Sequence, residues 1–200
     1  MDGYRVALFF HLLALVAASA ASGLVHVAES RAHRAATLRE ARMWLMLTAK
    51  TARTFPIAVV VLFGTGAYMI SARPGWTWST GWVVAGIGGA ILLLAQGGVL
   101  GGRGRKMKLA IQQLAADGGL DRAATLPHDP VIGALSWANT ALAISIVFVM
   151  TTKPTLEGAI LELAIGYVLG VVIGLSGKRS PAADGESAAL AAESVPSASE

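Results

Sequence analysis

The sequence predicts an all-α integral membrane bundle of five transmembrane helices, with the N-terminus outside and the C-terminus in the cytoplasm. Three observations lead there. Apolar residues make up 54% of the chain and charged ones only 14%, where a soluble domain carries nearer a quarter. The apolar residues stand in long runs that reserve no face for water, and the mean hydropathy is +0.61. Lysine and arginine gather beside alternate ends of those runs. The length fits one domain, a bundle over 1–177 followed by a polar tail over 178–200.

The runs cover about 4–27, 55–71, 82–100, 131–151 and 158–175, or 17 to 24 residues each. That matches the ~20 residues needed to cross a hydrocarbon core ~30 Å thick. Backbone amides in lipid must bond within their own segment, so each run is expected to be a helix. After the first run, residues 28–54 read as a cytoplasmic helical extension that ends lying at the interface. Trp44, Leu47, Thr48, Thr51 and Phe55 share one side, and Arg39, Arg42, Lys50 and Arg53 the other, as in a helix that touches anionic headgroups. Beyond the second run, Trp76, Trp78 and Trp82 mark the outer membrane–water boundary, where tryptophan serves as an anchor. The loop Gly101–Asp129 is basic and is expected to hold a short helix over Lys106–Ala116. Asp129-Pro130 opens the fourth run, Asp as a cap and Pro at the first helical position. The tail from Ser180, rich in Ala, Ser, Pro and Glu, reads as disordered.

Charge orients the set. With the N-terminus outside, 13 lysines and arginines fall in cytoplasmic segments and only Arg5, Arg73 and Lys153 outside. Dropping any helix would scramble this sorting, which follows the positive-inside rule. Arg5, the run Val6–Val16 and Ala18-Ser19-Ala20 resemble a cleavable signal peptide. Cleavage would leave the basic stretch Arg31–Arg53 outside, so the uncleaved helix is preferred. The net charge of +4 therefore implies a lipid bilayer as partner and no nucleic acid. The absence of cysteine excludes disulfides, zinc–thiolate and iron–sulfur sites and thiol catalysis.

Gly166, Gly170 and Gly174 recur every fourth residue in the fifth run. Small residues at that spacing let helix backbones approach closely, within the bundle or against another protein or a second copy of the chain. The glycines Gly97-Gly98 and Gly101-Gly102-x-Gly104 lack the Gly-Lys-Ser/Thr of a phosphate loop and read as a loosened helix end. Ionisable residues inside apolar runs are more telling, because lipid makes them costly unless paired or wet. His11, Lys153, Glu157 and Glu162 all fall in the outer half of the bundle, where they can share a polar site. The bland alternative has His11 bonding a neighbouring backbone or Glu162 while Lys153 and Glu157 snorkel. The functional one is a haem or copper site, with His11 as the imidazole ligand and Met69 or Met150 as thioether ligand. His26 lies ~22 Å along the helix from His11, which argues against bis-histidine haem at that level. Ser136, Asn139 and Thr140 either line a polar path or bond neighbouring helices. No hydrolase motif is present, so an enzyme is not the expected reading.

Four segments in order carry a family resemblance: Phe10-His11-Leu12-Leu13, Phe63-Gly64-Thr65-Gly66-Ala67-Tyr68-Met69, Trp78-Ser79-Thr80-Gly81-Trp82-Val83 and Met150-Thr151-Thr152-Lys153-Pro154. Together they resemble an uncharacterised family of small bacterial inner-membrane proteins, a domain of unknown function, distantly similar to the copper-resistance D and membrane protoporphyrinogen oxidase types. The resemblance covers about 4–155. It implies that His11 matches a haem- or copper-binding histidine of the first helix and that Lys153 matches the lysine of a Lys-Pro motif. The Ala/Ser-rich second half of the first helix departs from the Trp and Gly of those relatives. The expected function is a structural or accessory component of the bacterial inner membrane; alternatives are a haem- or copper-binding redox or transport protein using His11, and a proton or small-solute transporter using Glu162 and Asn139.

Overall fold

The computed structural model describes residues 2–116 and 129–176. The expected disordered tail lies outside them, as do Arg122, His128, Lys178 and Arg179. Six helices follow one another: α1 (Gly3–His33), α2 (Leu38–Thr51), α3 (Thr54–Ala72), α4 (Gly81–Ala116), α5 (Pro130–Thr152) and α6 (Leu156–Ser176). Five segments are long and apolar enough to span a membrane, the second formed by α2 and α3 together. The all-α bundle predicted from the apolar runs is therefore present.

Two expectations about the connections need correction. The extension after the first run is not one helix: α1 ends at His33 and α2 restarts at Leu38. The restart has a local cause. Thr37 accepts a hydrogen bond from the Glu40 amide, while the Glu40 carboxylate accepts one from the Ala36 amide. That is a variant of the reciprocal cap that Thr-x-x-Glu encodes. α2 then folds back on α1, burying Ala28, Ala32, Ala35, Leu38 and Ala41. The second correction concerns α4, which runs unbroken for 36 residues and absorbs the separate helix expected over Lys106–Ala116. Glycine lowers helix propensity by only ~1 kcal/mol per residue, and no proline stands between Gly81 and Ala116 to remove a bond. At ~1.5 Å per residue α4 is ~54 Å long, so its basic end projects well past a hydrocarbon core.

Asp129 ties that projecting end back to the bundle. Its carboxylate caps α5 by accepting from the Val131 amide and pairs with the Arg103 guanidinium of α4. Partial desolvation works against the charge, but these donors outweigh it and hold the carboxyl below its ordinary value.

The helices form two groups. In the first, α1 packs along α3 and α2; in the second, α5 packs along α6 and both touch α4. The α5–α6 contact is the closest. A Cβ on Gly170 would stand 2.7 Å from Ala138 Cα, and one on Gly174 would stand 2.5 Å from Ala134 Cα. Only hydrogen fits there, so Gly166, Gly170 and Gly174 serve contacts within the bundle. Trp82, Val83, Ala85, Val149 and Ala159 make the core of the second group, and Ile70 of α3 and Trp76 of the α3–α4 loop close over it. The other face of α6 is an exposed row that includes Ile165, Val168, Val172 and Leu175.

Replacing Gly174 by leucine is expected to push α5 and α6 apart and to lower thermal stability in detergent by ~1–3 kcal/mol, the usual cost of overpacking. Gly97→Ala, which meets nothing within 4 Å, should leave stability unchanged or raise it. Equal losses in both variants would contradict the packing assignment.

Candidate functional site: a polar belt between the two helix groups

Ser22, His26 and Glu29 stand at i, i+4 and i+7 on α1, a spacing that lines one face of a helix. Facing them on α5 are Ser136, Trp137 and Thr140. The backbones of α1 and α5 stay apart, and it is these side chains that bridge them. Thr140 Oγ is the node. It lies 2.7 Å from His26 Nε2, 3.0 Å from Ser22 Oγ and 3.2 Å from the Ser136 carbonyl oxygen. A hydroxyl has one proton and two lone pairs, so it can satisfy all three partners only as one donor and two acceptors. The His26 ring stacks on Trp137 at 4.5 Å between centroids, which fixes its plane. Below it, the buried Ser136 donates to Glu29 at 3.4 Å.

Two amides extend the belt towards α4. Gln96 is only 6% exposed, yet neither its oxygen nor its nitrogen has a hydrogen-bond partner. Asn139 Oδ1 is buried and likewise bonds nothing. The helix contacts put both on the seam between α4 and α5. A Cβ on Gly86 would meet the Met150 methyl, and one on Gly89 would meet Ile146 Cγ1, so α4 and α5 run antiparallel. Seven residues on from Gly89 is Gln96; seven back from Ile146 is Asn139. Seven residues are about two helical turns, so both amides return to the facing sides at one level. Asn139 adjoins Thr140 on α5, so the α4–α5 seam that carries Gln96 begins beside the Ser22–His26–Thr140 cluster.

The residues singled out from sequence are distributed differently. His11 faces α3, where its Nδ1 lies 2.9 Å from Thr65 Oγ. Thr65 gives its own proton to the Val61 carbonyl at 2.6 Å. With its proton on that carbonyl, Thr65 Oγ accepts from the Nδ1–H tautomer of His11. Met69 lies one turn beyond Thr65 on α3. Met150 is not brought to His11; its methyl packs on Gly86, against the Trp82–Val149 core. Lys153 ends α5 with a left-handed backbone (φ 52°), and its ammonium sits 4.9 Å from the Trp76 ring. That conformation costs roughly 1 kcal/mol or more for a residue with a Cβ. Glu157 is exposed in the first turn of α6, and Glu162 is half-buried with Oε2 unpartnered. Among the described residues no hydrogen bond or ion pair joins His11, Lys153, Glu157 and Glu162, and no three His, Asp or Glu side chains converge as a metal site.

Sequence reasoning passed over Ser22, Glu29 and Gln96 and set His26 aside because it lies ~22 Å along the helix from His11. The signal was there in part: a polar stripe on an otherwise apolar helix, and one glutamine inside the run 82–100. What the sequence lacks is which helix faces which. Comparison of the chain with protein families, curated proteins and solved structures finds no match.

Proposed function

We propose that this chain is a multi-pass protein of the bacterial inner membrane that acts without covalent chemistry, taking protons or a small polar solute into the belt between its two helix groups. It works alone or as an accessory part of a larger membrane complex. The observation that carries the reading is Gln96, buried with both amide atoms unpartnered on α4, which packs against the helix that carries the unpartnered oxygen of Asn139. Interhelical glue is a sufficient account of Ser22, His26 and Thr140, which satisfy one another. It does not account for the amides. A buried polar group without a partner costs ~1–3 kcal/mol or more, and a polar guest in the belt returns those bonds. Ionisable groups inside membrane segments commonly mark such paths, and Glu29 and His26 stand beside this one.

The test is reconstitution into liposomes. An internal pH dye reports proton flux, and light scattering reports entry of small polar solutes. Flux above that of protein-free liposomes is expected, cut about tenfold in Gln96→Leu, the rate equivalent of ~1.4 kcal/mol or one lost hydrogen bond. Gly97→Ala should match wild type. Wild-type rates equal to those of empty liposomes for protons and solutes alike would overturn the reading.

A second reading, haem or copper bound by His11, is favoured by one feature. Ligating imidazoles have their second nitrogen fixed by a hydrogen bond, and Thr65 holds Nδ1 of His11 in that way. Met69 is the thioether within reach of that helix pair by position; Met150 is not. A Soret band or stoichiometric copper in purified protein, lost in His11→Ala, is the result this reading requires. A colourless, metal-free preparation removes it.

A further inference from the structure

The opposite end of the bundle, where α3 and α5 stop, carries a cluster that the belt does not use. Arg73 follows the last turn of α3 and Lys153 the last turn of α5. Both bring their cations to Trp76, the guanidinium carbon and the ammonium each 4.9 Å from the ring centroid. Trp76 is held edge-on by the buried Trp82, with centroids 5.4 Å apart at 83°. Arg73 also donates to the Tyr4 hydroxyl at 3.4 Å, which leaves the tyrosine proton free for another acceptor.

Two positive charges from separate helix ends thus meet at one indole, without a counter-charge among the described residues. Among the described residues neither has a carboxylate within ion-pair distance: Asp2 pairs with Arg5, and Glu157 pairs with neither. The helix C-termini supply partial negative charge but no anion. The cluster stands where apolar helices end beside an exposed tryptophan, Trp78, the level of lipid headgroups. The geometry points to a binding site for the phosphodiester of an acidic phospholipid. Arg73 supplies a planar fork for two phosphate oxygens, Lys153 a point charge, and Tyr4 a hydroxyl donor. Trp76 draws both cations to its ring, and the lipid's net charge offsets their repulsion.

Phosphatidylglycerol and phosphatidylcholine, titrated separately into the detergent-purified full chain, test this through melting temperature and through the lipids retained in native mass spectrometry. Phosphatidylglycerol is expected to raise the melting temperature saturably and to be retained, and phosphatidylcholine to do neither. Lys153→Gly keeps the left-handed turn without the ammonium, so it should fold at least as well as wild type in the absence of lipid. Together with Arg73→Gln it should weaken the response about tenfold, in line with the contribution of one or two cations at a membrane surface. Lys108→Gln, exposed on the far end of α4, should respond as wild type does. Equal responses to the two lipids, or an undiminished response in the double variant, overturn the site. Inorganic phosphate giving the same saturable shift would replace the lipid by a free anion and overturn the assignment to phospholipid.

Discussion

Hydrocarbon offers a polar group nothing to bond, and most of this fold follows from that. Each backbone amide in the apolar runs has to be satisfied inside its own helix, which is why runs of about twenty apolar residues become helices and nothing else. Between helices the same solvent gives no hydrophobic drive, because lipid is as apolar as leucine. Association must come from close backbone contact or from polar side chains that find each other. The protein uses both, in different places. Along α5 and α6, glycines 166, 170 and 174 face Ala134, Ala138 and Ala141, and backbone lies on backbone. Between α1 and α5 there is no such contact, and Ser22, His26 and Glu29 reach across to Thr140 and Ser136 instead.

The difference divides the molecule into a tight seam and a polar one. Small-residue contacts have no room for a guest and nothing to offer it. The α1–α5 joint has hydroxyls, an imidazole and a carboxylate, and the amides of Gln96 and Asn139 continue it towards α4 with bonding capacity to spare. The apolar core of Trp82, Val83, Val149 and Ala159 closes the bundle at its Trp76 end. The polar joint of α1 with α5 therefore lies in the half of the bundle nearer the Arg103–Asp129 pair, where α4 projects with Arg105, Lys106 and Lys108 exposed.

What could be read from the sequence follows the same physics. The five runs were legible because spanning a membrane is a property of each segment alone. Asp129-Pro130 was legible as a helix start because capping is local, and Thr37 with Glu40 carries the same kind of local signal for the α1–α2 break. The glycine spacing of α6 was legible as a packing face, though its partner was not. Continuity of α4 through Gly101, Gly102 and Gly104 was missed, since glycine weakens a helix without ending it. The site was less legible, because its residues come together only through helix pairing. Depth along a helix suggested that His11, Lys153, Glu157 and Glu162 share a level. In the fold, rotation about the helix axis decides, and it turns His11 to Thr65 and Lys153 to Trp76.

The pairing of α1 with α5 through the belt is the claim on which the rest turns. The natural chain has no cysteine, so introduced pairs can be read without background. Ser22→Cys combined with Thr140→Cys, treated in membranes with a short bifunctional thiol reagent, should give an internal cross-link in high yield. Val16→Cys with Thr140→Cys should give none, because Val16 is 64% exposed on α1 away from the belt. Failure of the Ser22 pair to link, or efficient linking of the Val16 pair, would contradict the arrangement of the two helix groups described above.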